Sequence, residues 1–433
     1  MSKLAIFGGE RTLPKHAPLA QMFVQYPFAQ RFAAYVGAKH ALPTANGTAS
    51  LVSALLGAGV GPGDEVITVA HSWFCTATSI LAVNAVPIFV DVDPDTFTLD
   101  PAKIGERITP RTRAILGVSL YGQPADYPAI LEIARRHGLI VIDDACQSTG
   151  AAIDGKKLGS IADLTAFSFS GKPLSSTGGG MVTTNDRAMF ERSMLGGQHP
   201  SYIAAEAKDP DVWRLASTGG YGHNLRLDGK CAERAYEQLE KLDAVNAWRR
   251  RNALHLKKRI HGVRGIKLPV ERPGALHIYH FFTCLFDEAE HAITRDEFVD
   301  ALTAEGVPTM TYISSINFLK TPEGKPFSAG ALHRRYLFQE LARTGSCGPY
   351  RFPDGVRPDY SEGSLPVTER LVDTEFNIQQ RYLSPPFDEA TMDLYAAAME
   401  KVLANANEIR AVRERDGGWV RRPTFLVAYE SDS

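Results

Sequence analysis

The sequence predicts an α/β protein. A large α/β domain with a mixed, helix-covered sheet occupies residues 1–245, and a smaller C-terminal α+β domain occupies 246–433. Three observations carry this. Short apolar runs alternate with helical patterns through the first 245 residues. Those runs are apolar at nearly every position, as strands buried on both faces are, rather than alternating with polar residues. Beyond about residue 246 the regular alternation stops.

Taken in order, Glu65-Val-Ile-Thr-Val-Ala, Val86-Pro-Ile-Phe-Val-Asp-Val, Ala114-Ile-Leu-Gly-Val-Ser-Leu and Leu139-Ile-Val-Ile-Asp read as strands. Thr165-Ala-Phe-Ser-Phe and Met181-Val-Thr-Thr are shorter candidates. The stretches Thr48 to Leu56, Trp73 to Asn84 and Tyr127 to His137 have helical period. From Leu239 to Arg259 the pattern reads as one long helix linking the domains. The second domain offers a strand, HIYHFFTCLF (277–286), and a helix, TRDEFVDALTAEG (294–306). Residues 328–368 are rich in Gly, Pro, Arg and Ser and read as a long excursion near a functional opening. A ligand on such a sheet belongs in the crevice beyond the carboxyl ends of its strands.

The 433 residues carry 47 Lys plus Arg against 49 Asp plus Glu, a net charge of -2. That balance argues against work on nucleic acid or an anionic membrane. No run approaches the ~18 apolar residues of a membrane span, and the opening apolar run is too short for a signal peptide. Cys75, Cys146, Cys231, Cys284 and Cys347 are odd in number and widely spaced, which points to a reducing cytoplasm rather than disulfides or a cysteine zinc site. No metal site is expected. His277 and His280, three apart on a strand, would face opposite sides. The basic run Arg249-Arg250-Arg251 with Lys257-Lys258-Arg259 reads as a solvated helix face.

Three local features point to chemistry. In Ala45-Asn-Gly-Thr-Ala-Ser-Leu, Gly47 allows close backbone approach, and Thr48 adds a hydroxyl to the unpaired N–H groups of a helix start. That is a phosphate seat or a plain N-cap. In Ile142-Asp143-Asp144-Ala145-Cys146-Gln147 a strand ends in two carboxylates, one free to face a ligand cation while the other caps or meets solvent. In Phe167-Ser-Phe-Ser-Gly-Lys172, followed by a loop of small residues with Gly178-Gly179-Gly180, a lone lysine stands where desolvation favours a neutral, nucleophilic amine. A phosphate anchor, a lysine for a Schiff base and a carboxylate for a pyridinium nitrogen are the needs of pyridoxal phosphate. Trp73 in His71-Ser-Trp-Phe-Cys is placed to stack on its ring, or to fill core. The G-x-G-x-x-G opening of a nicotinamide site does not occur in the first βα unit.

These residues sit in a pattern that resembles the DegT/DnrJ/StrS family of pyridoxal phosphate-dependent keto-sugar and cyclitol aminotransferases. The matching segments include Phe32-Ala-Ala-Tyr-Val-Gly-Ala-Lys-His, Asn46-Gly-Thr-Ala, Gly63-Asp-Glu-Val-Ile, Pro87-Ile-Phe-Val-Asp-Val-Asp-Pro, Asp144-Ala-Cys-Gln-Ser, Phe167-Ser-Phe, Lys172 and Gly222-His-Asn-Leu-Arg-Leu. The resemblance implies fold type I, the fold of aspartate aminotransferase, in a homodimer with shared sites. It implies that Lys172 joins the cofactor, Asp144 meets its ring nitrogen, Gln147 lies near its ring hydroxyl and Trp73 stacks on it. It places Thr48, Ala49 and Ser168 on the phosphate, with Ser170 as a rival of Ser168, and has Asn224 reach the phosphate from the neighbouring subunit. The implied reaction moves an amino group from glutamate or glutamine to a keto-sugar or keto-cyclitol in amino-sugar or antibiotic biosynthesis. The opening Ile6-Phe-Gly-Gly-Glu leans toward the cyclitol branch. A sugar dehydratase or deaminase of the same family and a non-catalytic regulator are the alternatives; Lys172, replaced by histidine in dehydratases, favours aminotransfer. Arg226, Tyr312 and His333 are further candidates near the substrate.

Overall fold

The computed structural model describes residues 25–217, 223–313 and 330–415. Residues 6–10, Gly222 and the start of the 328–368 stretch lie outside the described residues.

Seven strands form the main sheet, in the spatial order 40–44, 180–184, 164–168, 140–144, 112–118, 65–69 and 86–90. Only Gly180–Thr184 runs against the rest, pairing antiparallel with both of its neighbours. All the other strands therefore end at one edge. Strands Glu65–Val69 and Leu164–Ser168 are buried at every residue, as their largely apolar runs anticipated. Helix Gly47–Gly57 starts at that same edge, straight after strand His40–Thr44, and packs on strand Leu164–Ser168.

The second sheet has four antiparallel strands in the order 266–267, 281–286, 375–379 and 309–310. It has its own apolar core, built with helices Arg295–Ala304 and Glu389–Ala404. Thr294 and Glu297 close a reciprocal capping box at the start of the first of these. The main-sheet domain meets this one through Tyr121 and Gly122, both at positive φ (59° and 100°). A Cβ on Gly122 would stand 2.7 Å from Tyr279 N, so glycine lets the two domains touch there.

Three expectations change. The helix from Leu239 to Arg259 is two helices, Gly229–Leu239 and Leu242–Arg259, broken at Glu240 and Lys241. Leu239 and Leu242 are both buried on either side of the break, so packing overrides a locally uninterrupted helical pattern. HIYHFFTCLF becomes strand only from Phe281, because Tyr279 adopts a left-handed φ of 50°. The 330–365 stretch carries helix Tyr336–Thr344 and a small hairpin, Ser346–Cys347 with Tyr350–Arg351. Its Leu332, Phe338, Leu341, Phe352 and Tyr360 form a third apolar cluster with Ala77, Leu81 and Phe89 on the edge of the main sheet. All five cysteines are free. Among the described residues no helix is long and apolar enough to cross a membrane, and no group of three or more side chains could hold a metal ion.

Candidate active site

The carboxyl ends of the main-sheet strands open into a cavity of about 680 Å³. Gly47, Thr48, Trp73, Asp144, Gln147, Ser168, Ser170 and Lys172 line it from the large domain, and His280, Phe281, Met310, Tyr312 and Gln379 from the small one.

At one end lies the start of helix Gly47–Gly57. Asn46 caps it, its side chain accepting from Ala49 N at 2.9 Å. The Ala49 amide is therefore engaged, its side chain is buried, and Ala49 does not reach the cavity wall. The amides of Gly47 and Thr48 remain at the helix start, where the macrodipole favours an anion. Gly47 is pressed against Ser168. A Cβ there would stand 2.7 Å from Ser168 Cβ and 3.0 Å from Cys146 Sγ. Glycine thus brings the helix start and the end of strand Leu164–Ser168 together as two walls of one cradle. Ser168 is buried beside it, whereas Ser170 is exposed, so both serines line the cavity but only Ser168 abuts the helix start.

The two carboxylates part company as neighbours on a strand must. Asp144 faces the cavity. Its Oδ2 accepts from Thr76 Oγ1 at 2.8 Å, Thr76 meets Ser72 Oγ at 2.8 Å, and its Oδ1 accepts from Cys146 N at 3.2 Å. Asp143 points the other way and neither caps nor meets solvent. It is buried and accepts from Ser119 Oγ at 2.9 Å and Tyr127 Oη at 2.5 Å. Burial pushes its carboxyl up to about 7, opposed by these two donors and assisted by the charge of Asp144.

Lys172 shares the cavity with Asp144. The residue is half-buried, and desolvation at the cavity wall moves its amine below the ordinary lysine range, opposed in part by the nearby Cys146 and Asp144. That combination, an acid at the floor and a desolvated amine, suits a ligand carrying both a cationic nitrogen and an electrophilic carbon.

Gln147 bridges the domains, its Oε1 accepting from Tyr121 N at 3.0 Å and its Nε2 donating to Tyr312 Oη at 3.0 Å. Trp73 stands at the mouth, 43% exposed, with its ring 6.0 Å from that of Tyr312. Tyr312 lines the cavity as expected, but His333 does not: it is buried against Glu369 Oε1 at 2.8 Å. Asn224 is exposed on backbone of positive φ (55°) and is not among the lining residues of its own chain. Arg226 does not line the cavity either.

Several residues that matter here gave no signal in the sequence. His71 Nε2 lies 3.0 Å from Glu375 Oε2, and Tyr121 Oη donates to the same oxygen at 2.8 Å, with His71 and Glu375 side chains 0% exposed. This cluster ties the strand ends to the second sheet directly behind Tyr312. Its only trace in the sequence is an acid opening the short segment Glu375-Phe-Asn-Ile. His280, an improbable metal ligand by its spacing, lies in the cavity wall beside Lys172.

The cradle, the acid and the amine fit pyridoxal phosphate: Gly47, Thr48 and Ser168 at its phosphate, Asp144 at its ring nitrogen and Lys172 at its aldehyde. A model of the DegT/DnrJ/EryC1/StrS aminotransferase family matches residues 24–332. The chain is 37% identical over 392 residues to L-glutamine:2-deoxy-scyllo-inosose aminotransferase of Streptoalloteichus tenebrarius, covering 89% of this chain and 87% of that protein. It is 35% identical over 386 residues to L-glutamine:scyllo-inosose aminotransferase of Streptomyces griseus, covering 88% and 86%. Among solved structures it superposes on NtdA of Bacillus subtilis with bound cofactor PMP at a TM-score of 0.70 and 26% identity, covering 90% of this chain and 78% of that one.

Proposed function

The chain belongs to the DegT/DnrJ/EryC1/StrS aminotransferase family, and from that we propose that it moves the amino group of L-glutamine or L-glutamate to a keto-cyclitol. It is a pyridoxal phosphate-dependent aminotransferase. The observation that carries the reading is the single cavity holding Lys172 and Asp144 between the Gly47 cradle and the Tyr312 wall.

When bound, the cofactor supplies an aldehyde that takes up amines and a ring that spreads the charge left when a neighbouring C–H proton is removed. The chain's own groups do the rest. Gly47, Thr48 and Ser168 would hold the phosphate, and Asp144, fixed by Thr76 and Cys146, would keep the ring nitrogen protonated. Gln147 would lie near the ring hydroxyl, and Trp73, at the cavity mouth, would stack on the ring. Lys172, once released, takes the donor's α-proton at Nζ and returns it as a general base and acid.

The choice of a cyclitol over a nucleotide-linked sugar rests on the glutamine-dependent inosose aminotransferases that span most of this chain. The reading includes a cytoplasmic homodimer in which exposed Asn224 serves the cradle of a second copy. It is tested by presenting the amino-loaded enzyme with keto-cyclitols and with nucleotide-linked keto-sugars and following the return of yellow colour. The expected result is fast return with a keto-cyclitol; rapid return only with nucleotide-linked sugars overturns the acceptor class.

A further inference from the structure

Behind Lys172 two buried polar atoms have no partner. His280 is 1% exposed and lines the cavity, yet its Nδ1 makes no hydrogen bond. Gln380 is 9% exposed, and its Oε1 makes none either. The Gln380 side chain acts on the ring as a hydrogen-bonding group that favours its protonation, yet the two atoms do not reach full hydrogen-bond geometry with each other. Buried polar groups are almost always paired, because an unpaired one forfeits its hydrogen bonds to water without replacement. Two at one place call for a shared donor.

The two residues are held together and aimed at one loop. Gln380 N donates to His280 O at 2.8 Å, and Gln380 Nε2 donates to Gly171 O at 3.2 Å, the residue just before Lys172. Lys172 itself makes no hydrogen bond or ion pair with a described residue. An amine released from the cofactor brings two N–H donors, and its protonated form brings three with no acceptor. His280 is neutral: burial drives its imidazole well below the ordinary histidine range, and the charge of Lys172 acts in the same direction. A neutral imidazole keeps one nitrogen as an acceptor.

We infer that His280 and Gln380 form a dock for the Lys172 amine, holding it through the part of the cycle in which it is not joined to the cofactor. The inference rests on Lys172 being the cofactor-linked lysine. The two are positioning residues: neither receives the proton, which stays on Nζ. Their acceptors keep the amine beside the reacting carbon instead of letting it swing into solvent, and they favour its protonated form. Asp144, Cys146 and Cys75 act on Lys172 from the large domain and are untouched by changes at the dock.

The test uses the cofactor-loaded enzyme and its His280→Phe variant, which keeps a ring but loses the acceptor. On mixing with L-glutamine, the visible band should decay at least ~10-fold more slowly at saturating donor, with the half-saturating concentration unchanged. In the amino-loaded form, acylation of Lys172 followed by mass spectrometry should show a midpoint at lower pH in the variant, because lost acceptors disfavour the ammonium. His280→Asn, which restores an acceptor, should recover part of both effects, and Gln380→Leu should shift both in the same direction as His280→Phe. These two variants carry the test if His280→Phe does not fold. An unchanged rate and midpoint overturns the dock and leaves the two side chains as partners of each other. A weaker donor affinity at unchanged rate also overturns it, making His280 a donor-binding group. Loss of colour from the resting variant overturns it as well, in favour of a structural role. A colourless wild-type enzyme instead overturns the assignment of Lys172.

Discussion

Replacing Gly47 by alanine tests the cradle directly. The residue opens helix Gly47–Gly57 without a left-handed φ, so alanine is conformationally acceptable there and on propensity alone would stabilise the helix slightly. The packing decides otherwise. The new Cβ would lie 2.7 Å from Ser168 Cβ, 3.0 Å from Cys146 Sγ and 3.1 Å from Ser168 Oγ. Carbon contacts prefer roughly 3.5–4.0 Å, so the helix start and the strand end must separate by about 1 Å. Overpacking of this kind costs ~1–3 kcal/mol of stability. The same displacement draws amides away from a phosphate seated between them. Losing one charge-assisted hydrogen bond of ~1.5–3 kcal/mol weakens cofactor binding ~10- to 100-fold. Thermal melting of the cofactor-free protein reads the first effect, and titration with pyridoxal phosphate followed by absorbance reads the second. Adding Ser168→Gly removes two of the three clashes, so the double variant should melt higher than the sum of the single changes allows, while cofactor affinity stays low because the serine hydroxyl is gone. A Gly47→Ala protein as stable as wild type that binds the cofactor equally well would refute the cradle.

Asp143 sets a pH dependence of stability. Its carboxyl is raised from about 3.8 to about 7 in the folded chain. Between those values the folded state keeps a proton that the unfolded chain releases, so stability falls as pH rises through that window, by ~4 kcal/mol as an upper bound. Asp143→Asn keeps an acceptor for Ser119 and Tyr127 and should flatten that fall in denaturant titrations at about pH 5 and pH 8; an unaltered slope assigns it elsewhere. Glu375→Ala strands His71 and Tyr121 in a dry contact between the domains and should cost about 3 kcal/mol or more by chemical denaturation. A loss under ~1 kcal/mol would mean that the cluster is not structural. Finally, Lys172→Ala and Asn224→Ala preparations, each impaired alone, should regain activity when their subunits are exchanged, because one of the two sites then has both residues. No recovery after verified exchange contradicts the shared site.

Six of the seven main-sheet strands were legible because they are short, largely apolar and separated by helical stretches, whereas the edge strand His40–Thr44, with a histidine and a proline among its five residues, shows no such run. Asp144 and Lys172 were legible because a strand end is where such a sheet exposes chemistry. The rest depended on tertiary contacts that leave no local trace. Thr76 looks like any helix-start hydroxyl, yet it orients Asp144 through a hydrogen bond across 68 residues. Glu375 meets His71 across 304 residues. The helix break at Glu240 carries no glycine or proline. Tyr279 adopts a left-handed turn that propensity disfavours, and this turn, rather than strand alternation, sets His277 and His280 apart. His277 is engaged within its own turn, its Nδ1 accepting from Tyr279 N at 2.9 Å, while His280 reaches the cavity.

Reduction of the yellow enzyme with borohydride, followed by peptide mapping, bears most directly on the site. Reduction makes the bond between lysine and cofactor permanent, so mass spectrometry identifies the amine that held it. The expected result is a single modified peptide carrying the added mass on Lys172, absent from the Lys172→Ala variant. Modification of a different lysine, or none in a protein that is yellow and active, contradicts the assignment on which the roles of Asp144, Gly47 and His280 rest.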